Sequence, residues 1–85
     1  MPATAEQQQL TEALLSQIQE SDFPSPTQLD RIEQLISTRD ELETYIAVLT
    51  QKVQASSFPP TSLVDRIQRL LRVLKRVDQE EQSER

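Results

Sequence analysis

The sequence predicts an all-α protein: a small antiparallel helical bundle built from a duplicated helix–loop–helix unit. Three observations carry that prediction. The 85 residues contain no glycine, the residue that tight hairpin turns favour where φ is positive. Apolar residues recur at spacings of three and four, the period of a helix with one inward face. Residues 19–36 (QESDFPSPTQLDRIEQLI) align with residues 54–71 (QASSFPPTSLVDRIQRLL), and eight of the 18 pairs are identical at an offset of 35 residues.

The identities are Gln19/Gln54, Ser21/Ser56, Phe23/Phe58, Pro24/Pro59, Asp30/Asp65, Arg31/Arg66, Ile32/Ile67 and Leu35/Leu70. Upstream, Leu14 matches Leu49, while Leu10/Tyr45 and Ile18/Val53 are apolar pairs. Ordinary composition supplies about one or two chance identities over such a stretch. The period is close to the roughly 34 residues of tetratricopeptide repeats. The glycine and small-residue positions of that family are absent, and two units are too few for a solenoid.

The first helix is expected over about residues 5–21, with Leu10, Leu14, Leu15 and Ile18 on one side. It ends at SDFPSP. The equivalent break is SSFPP, and in both the prolines remove backbone donors and push the preceding residue out of helical geometry. A hydroxyl followed three residues later by an acid, Thr27 with Asp30 and Ser62 with Asp65, predicts helix starts near Thr27 and Ser62.

The middle segment has two readings. Thr38-Arg39-Asp40-Glu41 has the form of a capping box that opens a new helix. Against a break, Ile32, Leu35, Arg39, Leu42, Ile46, Leu49 and Val53 keep one heptad phase, and neither glycine nor proline occurs between Thr27 and Ser57. The sequence reading is therefore three helices with one long middle helix over 27–56, or four if it breaks near Thr38. The last helix, about 62–80, carries Leu63, Ile67, Leu70, Leu74 and Val77 at alternating spacings of four and three, widened by Val64 and Leu71. The chain is expected to form a single helical domain over 1–85, with residues 1–5 and 81–85 frayed.

Composition limits the chemistry. Histidine and cysteine are absent, which removes the usual zinc ligands, Ser-His-Asp triads, cysteine nucleophiles and disulfides. Without glycine there is no phosphate-cradling loop. Carboxylates are numerous, but no pair has a cleft in which its pKa could be tuned for acid–base work. No catalytic, metal-binding or cofactor-binding residues are expected, and the chain is read as non-enzymatic. No apolar run approaches the roughly 20 residues of a membrane span, and the N-terminus lacks the basic start and apolar core of a signal peptide. A cytoplasmic protein is expected.

Candidate binding residues fall in three groups. Phe23 and Phe58 precede proline in equivalent loops; the expectation is that they plug the ends of helical hairpins, or else stand out as partner anchors. Leu42, Ile46, Leu49 and Val53 lie on a seam that a long middle helix leaves partly uncovered, which predicts a homodimer or a partner helix. Arg66, Arg69, Arg72, Lys75 and Arg76 form the basic cluster of a chain whose net charge is −5. Arg69, Arg72 and Arg76 share an outward stripe that nucleic acid phosphates would suit, although the domain is acidic and no aromatic residue interleaves the cations. Arg39 stands in the seam, where it either fixes register, with Glu43 one turn on as a local partner, or snorkels outward on its long stem. The functional expectation is a protein–protein interaction module acting as adaptor, assembly factor or regulator. The alternative is a nucleic-acid-binding regulator that uses the basic face.

Overall fold

The computed structural model describes residues 5–21 and 24–83, the last four of these by backbone alone. All regular structure among them is helical: α1 (Ala5–Glu20), α2 (Pro26–Leu35), α3 (Arg39–Ala55) and α4 (Thr61–Ser83). The molecule measures 43 × 28 × 17 Å. Packed helix axes lie about 8–10 Å apart, so its thin dimension holds no more than two layers of helix.

The continuous middle helix does not form. Ile36 leaves helical geometry at φ −64°, ψ 123°, and Thr38 is extended at φ −121°, ψ 157°. Thr38 Oγ1 accepts from the Glu41 N–H at 3.1 Å, while Glu41 Oε1 accepts from the backbone N–H groups of Thr38 at 3.2 Å and Ser37 at 3.0 Å. This capping box satisfies donors that a break would otherwise leave orphaned. The heptad phase survives because both sides of the break need an inward apolar stripe. Ile32 and Leu42 are both buried, yet they belong to different helices.

Two expected starts also move. Ser25, not Thr27, caps α2: its Oγ accepts from Gln28 N–H at 3.2 Å, and Gln28 Oε1 accepts from Ser25 N–H at 3.0 Å. Pro26 then takes the first helical position, where its fixed φ fits and its missing N–H costs nothing. In α4 the Pro60 carbonyl accepts from Leu63 and Val64, so Ser62 lies inside the first turn instead of capping it. Glu20 and Ala55 end α1 and α3 35 residues apart, and Pro26 and Thr61 begin α2 and α4 at the same offset. Ala5 and residues 81–83 are helical; the remaining residues expected to fray lie outside the described ones.

Hydrogen bonds and ion pairs set the directions of packing. Gln7 Nε2 donates to the Leu35 carbonyl, which brings the start of α1 to the end of α2. Lys52 Nζ donates to the Gln19 carbonyl, so α1 and α3 end together. Arg39 reaches Asp78, so α3 and α4 run antiparallel. One apolar cluster joins the four helices: Leu15 and Ile18 of α1, Leu29 and Ile32 of α2, Leu42, Tyr45, Ile46, Val48 and Leu49 of α3, and Ile67 of α4. The share is uneven. α3 supplies half of these buried side chains, and α4, the longest helix, supplies one. Thr11 is buried among them and satisfies its hydroxyl on the Gln7 carbonyl at 2.9 Å.

Candidate interaction surface

α2 and α4 run side by side, but nowhere among the described residues do their Cα atoms come within 8 Å. A groove separates them, and one polar bridge crosses it. Asp30 and Glu33 are three residues apart on α2 and therefore share a face. The Arg66 guanidinium of α4 donates to Asp30 Oδ1 at 2.9 Å and to Glu33 Oε2. Tyr45 rises from α3 beneath them; its hydroxyl donates to Glu33 Oε2 at 2.7 Å and lies 3.4 Å from the Leu29 carbonyl.

Burial makes this bridge stronger than a surface ion pair. The Arg66 side chain is 13% exposed and Glu33 28%, against 62% for Asp30, so Glu33 is the partner that matters most. Burial alone would lower the Arg66 pKa, but hydrogen bonds to Glu33 and Asp30 outweigh it and hold the guanidinium above its usual value. The Tyr45 phenol is pushed well up, first by burial and then by its hydrogen bond to the Glu33 carboxylate.

Apolar cavities open on either side of the bridge. One, of about 300 Å³, is rimmed by Pro24, Pro26 and Pro60 with Leu29 and Leu63 beneath. The other, of about 380 Å³, lies at the far end between Ile36, Leu42, Leu70, Val73 and Val77. Arg39 closes that end: it pairs with Glu43 at 3.2 Å and with Asp78 at 2.8 Å. The Asp78 oxygen is shielded from solvent and has no hydrogen bond of good geometry, so its charge is met by that ion pair.

The candidate residues are distributed differently from the sequence expectation. Phe58 plugs nothing: it is 92% exposed in the α3–α4 loop, beside the proline-rimmed cavity. Prolines 59 and 60 follow it directly, and the chain bends at Ser57 and Phe58. Phe23 lies outside the described residues. Leu42, Ile46 and Leu49 are buried and Val53 is half-buried, because breaking the middle helix lets α2 fold back and the other helices cover α3. The open-seam argument for a homodimer therefore does not hold. Of the basic cluster, Arg66 faces α2. Arg69, Arg72, Lys75 and Arg76 are exposed, and none pairs with a described acidic side chain.

Sequence reasoning missed the Tyr45–Glu33–Arg66 bridge. A faint signal was present: a lone tyrosine stands in an apolar stripe, where its hydroxyl must find a partner. Among the described residues no cluster is suited to a metal ion, and no helix is long and apolar enough to cross a membrane. Comparison with family models, curated proteins and solved structures gives no match to this chain.

Proposed function

We propose that this chain is a non-enzymatic helical interaction module, an adaptor, assembly factor or regulator that presents its surface to another protein. The observation that carries this reading is the 92% exposure of Phe58. A buried aromatic of that size stabilises a fold by about 1.5–3 kcal/mol relative to exposure. This small protein forgoes that contribution and fixes the ring on a proline-stiffened loop beside an apolar cavity. Aromatic side chains held rigidly in such positions make effective interface anchors. A duplicated helix–loop–helix unit would fit the reading, since the sequence carries a Phe-Pro pair at residues 23–24 and again at 58–59.

The test is site-specific photo-crosslinking in extract of the source cell. Benzoylphenylalanine at position 58 should crosslink one protein, competed by unlabelled wild-type chain but not by the Phe58→Asp chain. The same label at Gln8, on the exposed face of α1, is the control. Equal labelling from both positions, or none, overturns the reading. A second reading, nucleic acid binding, has one observation in its favour: the exposed Arg69, Arg72, Lys75 and Arg76 face. It requires binding that weakens steeply with salt and disappears in an Arg72→Glu, Arg76→Glu chain.

A further inference from the structure

We infer that the end of the α2–α4 groove lined by Leu70, Val73 and Val77 is a docking site for an acidic amphipathic helix of a partner protein. The inference rests on the interaction-module reading but uses a different surface from Phe58.

The shape comes from the bridge. Arg66 bridges α2 and α4, and the gap beyond it is bounded by Ile36, Leu42, Leu70, Val73 and Val77. Leu70, Val73 and Val77 of α4 form one wall, Leu42 of α3 the floor, and the turn at Ile36, Ser37 and Thr38 the end, so a further helix would lie along α4 over Leu42. Leu70 to Val77 spans about 10 Å at 1.5 Å per residue, or two turns of contact. Val73 is 47% exposed although it faces this gap.

The charge comes from α4. Arg69 and Arg76 are four residues before and three after Val73, so they flank it on the helix surface. Arg72 stands one turn before Arg76. None of the three pairs with a described acidic side chain. The acids nearest the cavity are engaged: Glu33 with Arg66 and Tyr45, Asp78 with Arg39. In a chain of net charge −5, this apolar strip has a positive edge. An apolar stripe bordered by Glu or Asp complements both features, and a basic helix is repelled.

The probe is a fluorescein-labelled peptide of about 16 residues, long enough for marginal helicity, with Leu at i, i+3 and i+7 and Glu flanking them. A second peptide replaces every Glu with Lys. Fluorescence anisotropy should show saturable binding of the Glu peptide and affinity about tenfold weaker or worse for the Lys peptide. The Arg69→Glu, Arg76→Glu chain should invert that preference, Val73→Glu should abolish binding, and Phe58→Ala should leave it unchanged. Each variant must first melt like the wild type; where Val73→Glu does not, Val73→Ser takes its place. No saturation by roughly 1 mM, equal binding of both peptides, or indifference to the arginine reversal overturns the inference. So does self-association that Val73→Glu removes, which assigns the groove to a second copy. Duplex DNA that binds the arginines irrespective of Val73 gives the face to nucleic acid and has the same effect. A failed peptide with successful crosslinking at Phe58 rejects this inference alone, because the two surfaces lie at opposite ends of the groove.

Discussion

Arg39→Pro separates the two possible courses of the middle chain most sharply. In a continuous helix the substitution removes an i→i−4 hydrogen bond and clashes with the preceding turn, at a cost of about 3 kcal/mol or more. In the structure Arg39 is the first residue of α3, where proline's fixed φ is an advantage and no intrahelical donor is lost. The preceding residue must also be compatible, and Thr38 at φ −121°, ψ 157° already occupies the region that proline imposes. What is lost includes the contacts to Glu43 and Asp78, with side-chain exposures of 41%, 46% and 36% for Arg39, Glu43 and Asp78. Solvent screening limits each to a fraction of about 1 kcal/mol, and restriction of the unfolded chain returns roughly 0.4–1 kcal/mol. The expected net change is within about 1 kcal/mol, or under ~8 °C in Tm for a chain of this size. Thermal melts followed by circular dichroism should compare Arg39→Pro with Arg39→Ala, which loses the ion pairs alone, and with Glu43→Pro, which places proline in the interior of α3. Near-coincident melts for the two Arg39 variants and a collapse for Glu43→Pro are expected. A drop for Arg39→Pro as large as that for Glu43→Pro would refute the break.

Three further outcomes are expected. Arg66→Ala leaves the mostly buried Glu33 carboxylate without its cation. Breaking a fully buried pair costs about 3–5 kcal/mol, and partial exposure of Glu33 brings the expectation to about 1.5–3 kcal/mol in urea unfolding; a loss under about 0.5 kcal/mol would show that the bridge is ornamental to stability. Tyr45 is the only tyrosine, so absorbance at the phenolate band reports it alone. Its folded pKa is raised above the ordinary value of about 10, so the stability it contributes is complete below pH ~10 and is lost as pH rises further. Phenolate should appear together with loss of helix, and a phenolate signal near pH 10 in fully helical protein contradicts the buried hydrogen bond. Phe58→Ala should change stability by no more than about 0.5 kcal/mol, and a fall in Tm beyond about 4 °C would place the ring in the core after all.

Helical class, the proline breaks and the inward stripes of each helix were legible in the sequence because they depend on local residue types. Leu15, Ile18, Ile32 and Ile67 went inward as their spacing implied. The break at residues 36–38 was written there too, as Thr38 and Glu41, but heptad phase pointed the other way. Phase records where each side chain must face relative to a core, and a chain that folds back on the same core keeps it. Phe58 departs for a different reason: a large apolar side chain is expected inside by composition, and whether a short loop turns it inward is decided by tertiary geometry that no local pattern records. The bridge needed tertiary knowledge, since Glu33, Tyr45 and Arg66 sit on three helices and no local pattern relates them.

Arg66 ties α4 to α2 through polar contacts where their backbones do not meet. Its equivalent at the 35-residue offset, Arg31, is exposed on α2, so the same residue type in the same helical position serves two purposes. At position 66 the guanidinium reaches across to Glu33 and Asp30 and joins α2 to α4 through polar contacts. An aliphatic residue there would favour closure, since each buried CH2 contributes about 0.8 kcal/mol and the two helices would gain by meeting. With the bridge in place α4 rests chiefly on α3, and Ile67 is its one buried side chain. Leu63, Leu70 and Leu74 are left half-buried against the core. The longest and most amphipathic helix is thus held at one flank and tied at one point on the other. That geometry leaves an apolar strip bordered by Arg69 and Arg76, neither of which pairs with a described acidic side chain.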